Sequence, residues 1–185
     1  MRRVMTVALT LVLCTGAGAA WADIIGSPRD DRIVGNDRAN LIEGRGGDDV
    51  LLGRGGDDAL LGERGRDKLR GGGGADTLLG HGNADRLDGG FGSDLLEGGP
   101  RQDILRGKDG PDWLQGGRGV DRLFPGPGRD DVQGGHGGDL FYLGHDGVVD
   151  EIDCGPGDDL LQYRGSVENA DVIGADCEVI VTIPS

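Results

Sequence analysis

Glycine recurs every ninth residue along most of this chain, and this spacing restricts the fold more than any other feature. From Gly26 to Tyr142 the sequence divides into thirteen consecutive nine-residue units without a gap. Twelve units begin with glycine, and the exception begins with Pro125. We number the positions of each unit one to nine. Thirteen consecutive units in register do not arise by chance, so any proposed fold has to account for this period.

Two further positions of the unit are nearly invariant. Position six is Asn40 in the second unit and aspartate in the other twelve, namely Asp31, Asp49, Asp58, Asp67, Asp76, Asp85, Asp94, Asp103, Asp112, Asp121, Asp130 and Asp139. Position eight is a large apolar residue throughout, from Ile33 to Phe141, and position four is glycine in nine units. Each unit therefore combines glycines, one carboxylate and one core-forming side chain.

The composition excludes several classes of protein. The chain of 185 residues contains 40 glycines and only 4% aromatic residues, which is too little bulk for a large close-packed core. Collagen is excluded because glycine does not recur at every third position. A net charge of −14 disfavours nucleic acid as a partner, since the long-range interaction would be repulsive. On charge alone, disorder remains possible.

The repeat resembles the calcium-binding nonapeptide of RTX, or hemolysin-type, proteins, Gly-Gly-x-Gly-x-Asp-x-U-x, where U is large and apolar. Residues 71–79 and 89–97 match this pattern fully. The resemblance implies an all-β fold, a right-handed parallel β-roll or β-helix solenoid in which two units make one 18-residue coil. It also implies that calcium ions bind between stacked turns.

The physics of the unit is consistent with that implication. Positions seven to nine suit a three-residue strand with U pointing inward, and positions one to six are predicted to form the turn. Calcium takes about six to eight oxygen ligands, so carbonyls must supplement the carboxylates. Stacked units share ions between position-six residues 18 apart, which permits at most about 11 ions. The candidate ligands are the twelve position-six aspartates and the turn glycines Gly44, Gly47, Gly53, Gly56, Gly71, Gly72, Gly74, Gly89, Gly90 and Gly92.

A simpler explanation is that each aspartate only stabilises its own turn. That explanation suits one turn better than thirteen, because a column of carboxylates without cations repels itself. Since the core is thin, we expect the calcium-free chain to be largely disordered and calcium binding to supply folding energy. Weaker sites are predicted near the N-terminus and around units nine and twelve, because Arg29, Arg38 and Arg101 occupy position four, Asn40 occupies position six and Pro125 begins its unit. Residues 44–79 are expected to bind best.

The two faces of the roll are predicted to differ. At position seven, odd-numbered units carry Arg32, Lys68, Arg86 and Arg122 among apolar residues, whereas even-numbered units include Leu41, Leu95 and Trp113. A simple explanation of this difference is that the arginines offset the acidic turns and that the aliphatic residues suit β-strands. The alternative hypothesis is that the even-unit face self-associates or contacts a cell-surface partner.

The sequence predicts three segments. Residues 1–22 are typical of a secretory signal peptide, with Arg2 and Arg3, a short apolar run and cleavage after Ala22, so the protein is expected to be secreted. Lipidation at Cys14 is a weaker alternative. The apolar run is too short to span a membrane. Residues 23–142 form the calcium-binding roll, and residues 143–185 form degenerate repeats and a C-terminal cap.

The cap contains the two remaining cysteines, Cys154 and Cys177, which are expected to form a disulfide outside the cell, where free thiols are the less favoured alternative. Residues 154–162 fit the repeat again, with Asp159 and Leu161 in its key positions, and Val179 begins an expected strand. Asp150 and Asp153 are weaker metal candidates.

Catalytic motifs are absent from the sequence. It contains neither a His-Glu-x-x-His helix nor a Gly-x-Ser-x-Gly elbow, and His81, His136 and His145 lie in glycine-rich turns. We therefore expect no enzyme. Two functions remain, an extracellular calcium-binding module that folds on export and an interaction or matrix protein that uses the calcium-rigidified roll as a platform.

Overall fold

The computed structural model describes residues 22–144, 146–164, 171–177 and 179–183. The predicted signal peptide up to residue 21 and His145 lie outside these residues. The described residues form eighteen strands and no helix. Every pairing between strands is parallel and joins strands two apart in the chain, such as β4 with β6. The all-β parallel roll implied by the resemblance is therefore confirmed.

The strands alternate between two nine-stranded sheets. Sheet 1 contains the odd-numbered strands, β1 (Ala22–Ile25), β3 (Asn40–Glu43), β5 (Ala59–Arg64), β7 (Thr77–Gly82), β9 (Leu95–Pro100), β11 (Trp113–Arg118), β13 (Asp131–His136), β15 (Glu151–Asp153) and β17 (Val172–Ile173). Sheet 2 contains the even-numbered strands, β2 (Arg32–Val34), β4 (Val50–Gly55), β6 (Lys68–Gly73), β8 (Arg86–Phe91), β10 (Ile104–Asp109), β12 (Arg122–Phe124), β14 (Leu140–Leu143), β16 (Leu160–Arg164) and β18 (Val179–Ile183).

The register repeats every two units, as predicted. Leu51 pairs with Leu69, and Leu69 pairs with Leu87, so equivalent residues 18 apart lie side by side. One coil thus consists of a strand in each sheet and the two turns that connect them.

Position-eight side chains fill the space between the sheets. From Ile42 to Phe141 they are at most 2% exposed, and Ile152 and Leu161 continue the same column into the cap. Ile33, in the first coil, is only partly buried against this core. Each unit after the first therefore buries one large apolar side chain, worth about 1.5–3 kcal/mol.

Most repeat strands are longer than the sequence analysis predicted, although β2 and β12 keep the predicted three residues. β4 covers positions seven to nine and continues through positions one to three of the next unit, so the turn is reduced to positions four to six. Glycine at position one permits this extension. A Cβ on Gly53 would collide with the Asp58 carboxylate and lie 2.7 Å from the Gly71 carbonyl oxygen in the adjacent strand.

The position-seven residues are divided between the sheets as predicted. Sheet 2 carries Arg32, Lys68, Arg86 and Arg122, whereas sheet 1 carries Leu41, Leu95 and Trp113. Among the described residues, no helix has the length and apolar character needed to cross a membrane.

The C-terminal cap continues both sheets. β15 and β17 extend sheet 1, and β16 and β18 extend sheet 2. The predicted disulfide between Cys154 and Cys177 is confirmed, with the two Cα atoms 5.3 Å apart. Cys154 belongs to the buried core cluster and Cys177 packs against it, so the bridge ties the last part of the cap to the core.

Candidate metal-binding turns

The position-six aspartates form two buried columns, one at each edge of the roll. From Asp49 to Asp139 each is at most 3% exposed. One carboxylate oxygen, Oδ1, accepts a hydrogen bond from the backbone N–H of the position-six residue 18 places earlier. Eleven such bonds of 2.7–2.9 Å connect the repeat block, beginning with Asp31 N–H to Asp49 and ending with Asp121 N–H to Asp139.

The second oxygen of these carboxylates is buried and lacks a hydrogen-bond partner within the described part of the chain. This holds for Oδ2 of Asp49, Asp58, Asp67, Asp76, Asp85, Asp94, Asp103, Asp112, Asp121, Asp130 and Asp139. A buried carboxylate oxygen without a donor is costly, because its lost hydration is not replaced. Eleven equivalent oxygens in this state fit a fold completed by cations.

Backbone carbonyls supply the remaining oxygens of the turns. At position four, Gly74 lies directly against the carbonyl of Gly56, and Gly92 lies against that of Gly74. A Cβ on either glycine would collide with that oxygen. Gly74 has φ of +129° and Gly92 has φ of +134°, which a glycine adopts freely. The turns therefore stack their carbonyls 18 residues apart, alongside the carboxylates.

The donor set is the one that calcium prefers. No group of three or more His, Cys, Asp or Glu side chains converges on one point in the described residues. Any cation at a turn would therefore be held by one or two carboxylates and by carbonyl oxygens. Hard, oxygen-only ligands in a glycine-rich loop suit calcium rather than zinc or copper.

Burial raises the pKa of most column carboxyls. The pKa of Asp58 and of Asp112 is raised to about 7, and that of Asp85 to about 8, chiefly because the charged form loses hydration. The hydrogen bond donated to each carboxylate opposes this shift, and neighbouring carboxylates add to it. The calcium-free columns thus favour protonated carboxyls, whereas a bound cation would favour the ionised form.

The first coil differs from the others. Asp31 is only partly buried and accepts hydrogen bonds from the backbone and side chain of Ser27, which lower its pKa. Asn40 accepts a 2.8 Å hydrogen bond from the Asn36 N–H, and its Nδ2 has no hydrogen-bond partner among the described residues. Both residues continue the columns, and weaker calcium binding at this end remains a prediction.

The predicted glycine ligands occupy two kinds of place. Gly47, Gly56, Gly74 and Gly92 lie in the turns beside the carboxylates, and all four have positive φ. Gly53, Gly71, Gly72, Gly89 and Gly90 lie within strands, while Gly44 lies just after β3. The strand glycines at position one make room for the Oδ2 atom of their own unit.

The columns continue into the cap, which the sequence analysis recognised only in part. Asp130 N–H donates to Asp150 over a separation of 20 residues, and Asp139 N–H donates to Asp159 over the same separation. Asp150 N–H then donates to Asp171 over 21 residues. Asp171 was missed because insertions break the period of nine there, and only its place two residues before Ile173 marks it.

Comparison with known proteins agrees with this geometry. The family model of the RTX calcium-binding nonapeptide repeat matches residues 25–60, 61–96 and 97–132. The chain belongs to this family. The matched segments cover most of the RTX roll, from before Gly26 to Val132, and end before the cap. A search of curated proteins found no match to the RTX chain.

Proposed function

We propose that this RTX protein is a secreted calcium-binding module that folds as calcium binds between its stacked turns. The observation that carries the proposal is the set of eleven buried Oδ2 atoms without hydrogen-bond partners. Position-four residues of these turns also stack on carbonyls 18 residues away, as Gly74 does on Gly56 and Gly92 on Gly74. The eleven stacked pairs would accommodate at most about 11 ions.

Folding is expected to depend on the ion because the core is thin. One buried apolar side chain per unit contributes about 1.5–3 kcal/mol. Ordering the backbone of the unit costs about 1–2 kcal/mol for each of its nine residues. Calcium would contribute binding energy to the folded chain alone. A secreted protein meets abundant calcium after export, so folding would follow secretion.

The test uses the predicted mature chain, residues 23–185. Far-UV circular dichroism is expected to show disorder with excess EDTA at about pH 8 and β-structure with millimolar calcium, and calorimetry should detect several ions per chain. Magnesium is the control, since its strict octahedral preference suits this donor set poorly. Equal β-content in EDTA and calcium would refute calcium-dependent folding.

Secretion is tested separately. The full-length chain, expressed in a bacterium with an intact export pathway, should appear outside the cytoplasm with Asp23 as its first residue. An N-terminus at Met1 in all of the recovered protein would contradict the proposal.

A second candidate function is an interaction platform on sheet 1. Leu95 pairs with Trp113 in neighbouring strands, which places two large half-buried apolar side chains side by side on the outer face. We propose self-association or a cell-surface contact through this face, and no enzymatic activity. A monomeric sedimentation coefficient for the calcium-loaded chain, unchanged by Trp113→Ser, would exclude self-association.

A further inference from the structure

Sheet 2 presents a basic face in a strongly acidic protein. The outward positions seven and nine of its repeat strands carry six basic residues and one acidic residue, Asp88. The basic residues, which we call the basic face, are Arg32, Lys68, Arg70, Arg86, Arg106 and Arg122. The equivalent positions in β3 to β13 of sheet 1 carry three acidic residues and no basic one. The net charge of the whole chain is −14.

The register arranges these cations in two parallel columns. Lys68 pairs with Arg86, and Arg122 lies two strands further along the same column. Arg70 and Arg106 lie in the second column, on either side of Asp88. Val50 and Ile104 interrupt the first column. Because neighbouring strands are about 4.8 Å apart, successive cations of a column therefore lie one or two such steps apart along the long axis of the roll.

The charges of the basic face are exposed and not neutralised by ion pairs. All of its residues except the half-buried Arg106 are exposed. Asp88 forms an ion pair with Lys108 at 3.6 Å, so the one acidic residue of these positions faces a cation outside the set. An uncompensated row of cations attracts an extended anion.

We propose that the basic face binds a linear acidic polysaccharide laid along the axis of the roll. A pyranose ring is about as long as one strand-to-strand step, so carboxylates or sulfates carried one or two sugars apart can meet the cations of a column. The guanidinium fork pairs well with both groups. The inference rests on the proposed calcium-dependent folding, because the columns exist only in the roll. Calcium in the turns would also reduce the repulsion between the polymer and the rest of the protein.

Nucleic acid fits this face less well. Single strands bind by stacking their bases on exposed aromatic faces. Here the rings of Phe124 and Tyr142 stack on each other, 4.3 Å apart and 3° from parallel, and the guanidinium of Arg106 lies 4.9 Å from the centre of the Phe124 ring. The ring faces that a base would need are therefore largely occupied.

An anionic membrane also fits less well. Interfacial binding requires protruding apolar side chains beside the charges. The exposed large apolar residues of the described chain are Ile25, Phe91, Val120, Val148, Val149 and Val172. Of these only Phe91 belongs to a repeat strand of sheet 2, and it is the last residue of β8.

The test measures binding of fluorescent chondroitin sulfate to residues 23–185 in millimolar calcium, with dextran as the uncharged control. Circular dichroism of the same samples reports folding, so loss of the roll is distinguished from loss of binding. The double variant Lys68→Glu/Arg86→Glu is expected to weaken binding at least about tenfold and to flatten its salt dependence. The control Arg64→Glu/Arg118→Glu changes the net charge equally on sheet 1 and should leave binding within about threefold.

Three outcomes would overturn the proposal. These are no binding by the folded wild-type chain, equal weakening by the two double variants, or tighter binding of a single-stranded oligonucleotide or of phosphatidylserine vesicles. Should the double variant fail to fold, hydrogen exchange of the wild-type chain replaces it. The polysaccharide should then slow exchange in β6, β8 and β10 more than in β7, β9 and β11, and protection confined to sheet 1 would also overturn it.

Discussion

Each position-six carboxylate has two different oxygens, and the difference defines its role. Oδ1 of Asp85 accepts the N–H of Asp67, and its Oδ2 has no hydrogen-bond partner among the described residues. The first oxygen links adjacent coils, and the second is available to a cation. An amide in place of the carboxylate would keep the link and lose the charge.

Asp85→Asn is therefore expected to lower the calcium stoichiometry and to raise the calcium concentration needed for folding by about threefold to tenfold, equivalent to about 0.7–1.4 kcal/mol. Calorimetry and circular dichroism measure both quantities. Asp109→Asn is the matched control, because Asp109 is exposed at the end of β10. Equal effects of the two variants would show that overall charge, not the column, determines binding.

Gly73, the last residue of β6, and Gly74, the first residue of the following turn, have different constraints. Gly74 has φ of +129° and lies against the Gly56 carbonyl, whereas a Cβ on Gly73 would meet nothing within 4 Å. Gly74→Ala is expected to destabilise the calcium-loaded roll by about 2 kcal/mol or more, and Gly73→Ala by less than about 0.5 kcal/mol. Urea unfolding in saturating calcium compares them, and similar values would show that the turn relaxes around an added methyl group.

At the scale of elements, the period of nine predicted most of the roll. It gave the stacking of units 18 apart, the inward position eight and the alternation of faces, because these depend only on which residues recur. It could not show where each strand ends. Glycine occupies positions one, two and four alike, and only the structure separates strand glycines such as Gly71 from turn glycines such as Gly74.

In the cap, the period of nine fails to predict residues that the structure places in the columns. Asp150 and Asp171 join the carboxylate columns although their separations are 20 and 21 residues. Because residues are inserted here, a search for the period of nine does not find these positions. Their backbone hydrogen bonds show that they belong to the columns. The fold of the cap therefore depends on pairing with the preceding coil rather than on its own sequence period.

The cap is also the element most dependent on the disulfide. Cys154 and Cys177 are 23 residues apart, and closing such a loop stabilises by about 3 kcal/mol in the chain-entropy model. Reduction is expected to speed hydrogen exchange in β15 and β17 first and to leave β5 to β10 unchanged in calcium. Mass spectrometry of peptides from each strand measures this. A uniform loss of protection would mean that the whole roll unfolds as one cooperative unit.

For the whole molecule, the raised carboxyl pKa values predict an unusual dependence on pH. The calcium-free roll raises the pKa of Asp67 to about 6, of Asp58 to about 7 and of Asp85 to about 8, against about 4 in an unfolded chain. Folding without calcium therefore favours the protonated form. This contribution to stability is fully present below about pH 4 and is lost as pH rises through 6–8.

In EDTA, β-structure is thus expected at about pH 4.5 and should disappear towards about pH 8, where millimolar calcium restores it. Calcium has to displace protons, so its apparent affinity should fall on acidification. Circular dichroism across this range tests whether the calcium-free fold loses stability as pH rises. Sedimentation detects aggregation near the isoelectric point of about 4.4. Increasing β-content with rising pH in EDTA would contradict raised carboxyl pKa values in the calcium-free roll.

The strict pairing of strands two apart has a consequence for how such a gene can change in length. Deleting the 18 residues from Gly71 to Asp88 removes one whole coil, and Arg70 then joins Gly89 in the original register. Deleting only the nine residues from Gly71 to Leu79 moves every later strand to the opposite sheet, so Arg86 and Trp113 exchange faces. Recombination in steps of two repeats can therefore lengthen or shorten the protein without altering its surfaces, while a single-repeat step inverts everything downstream.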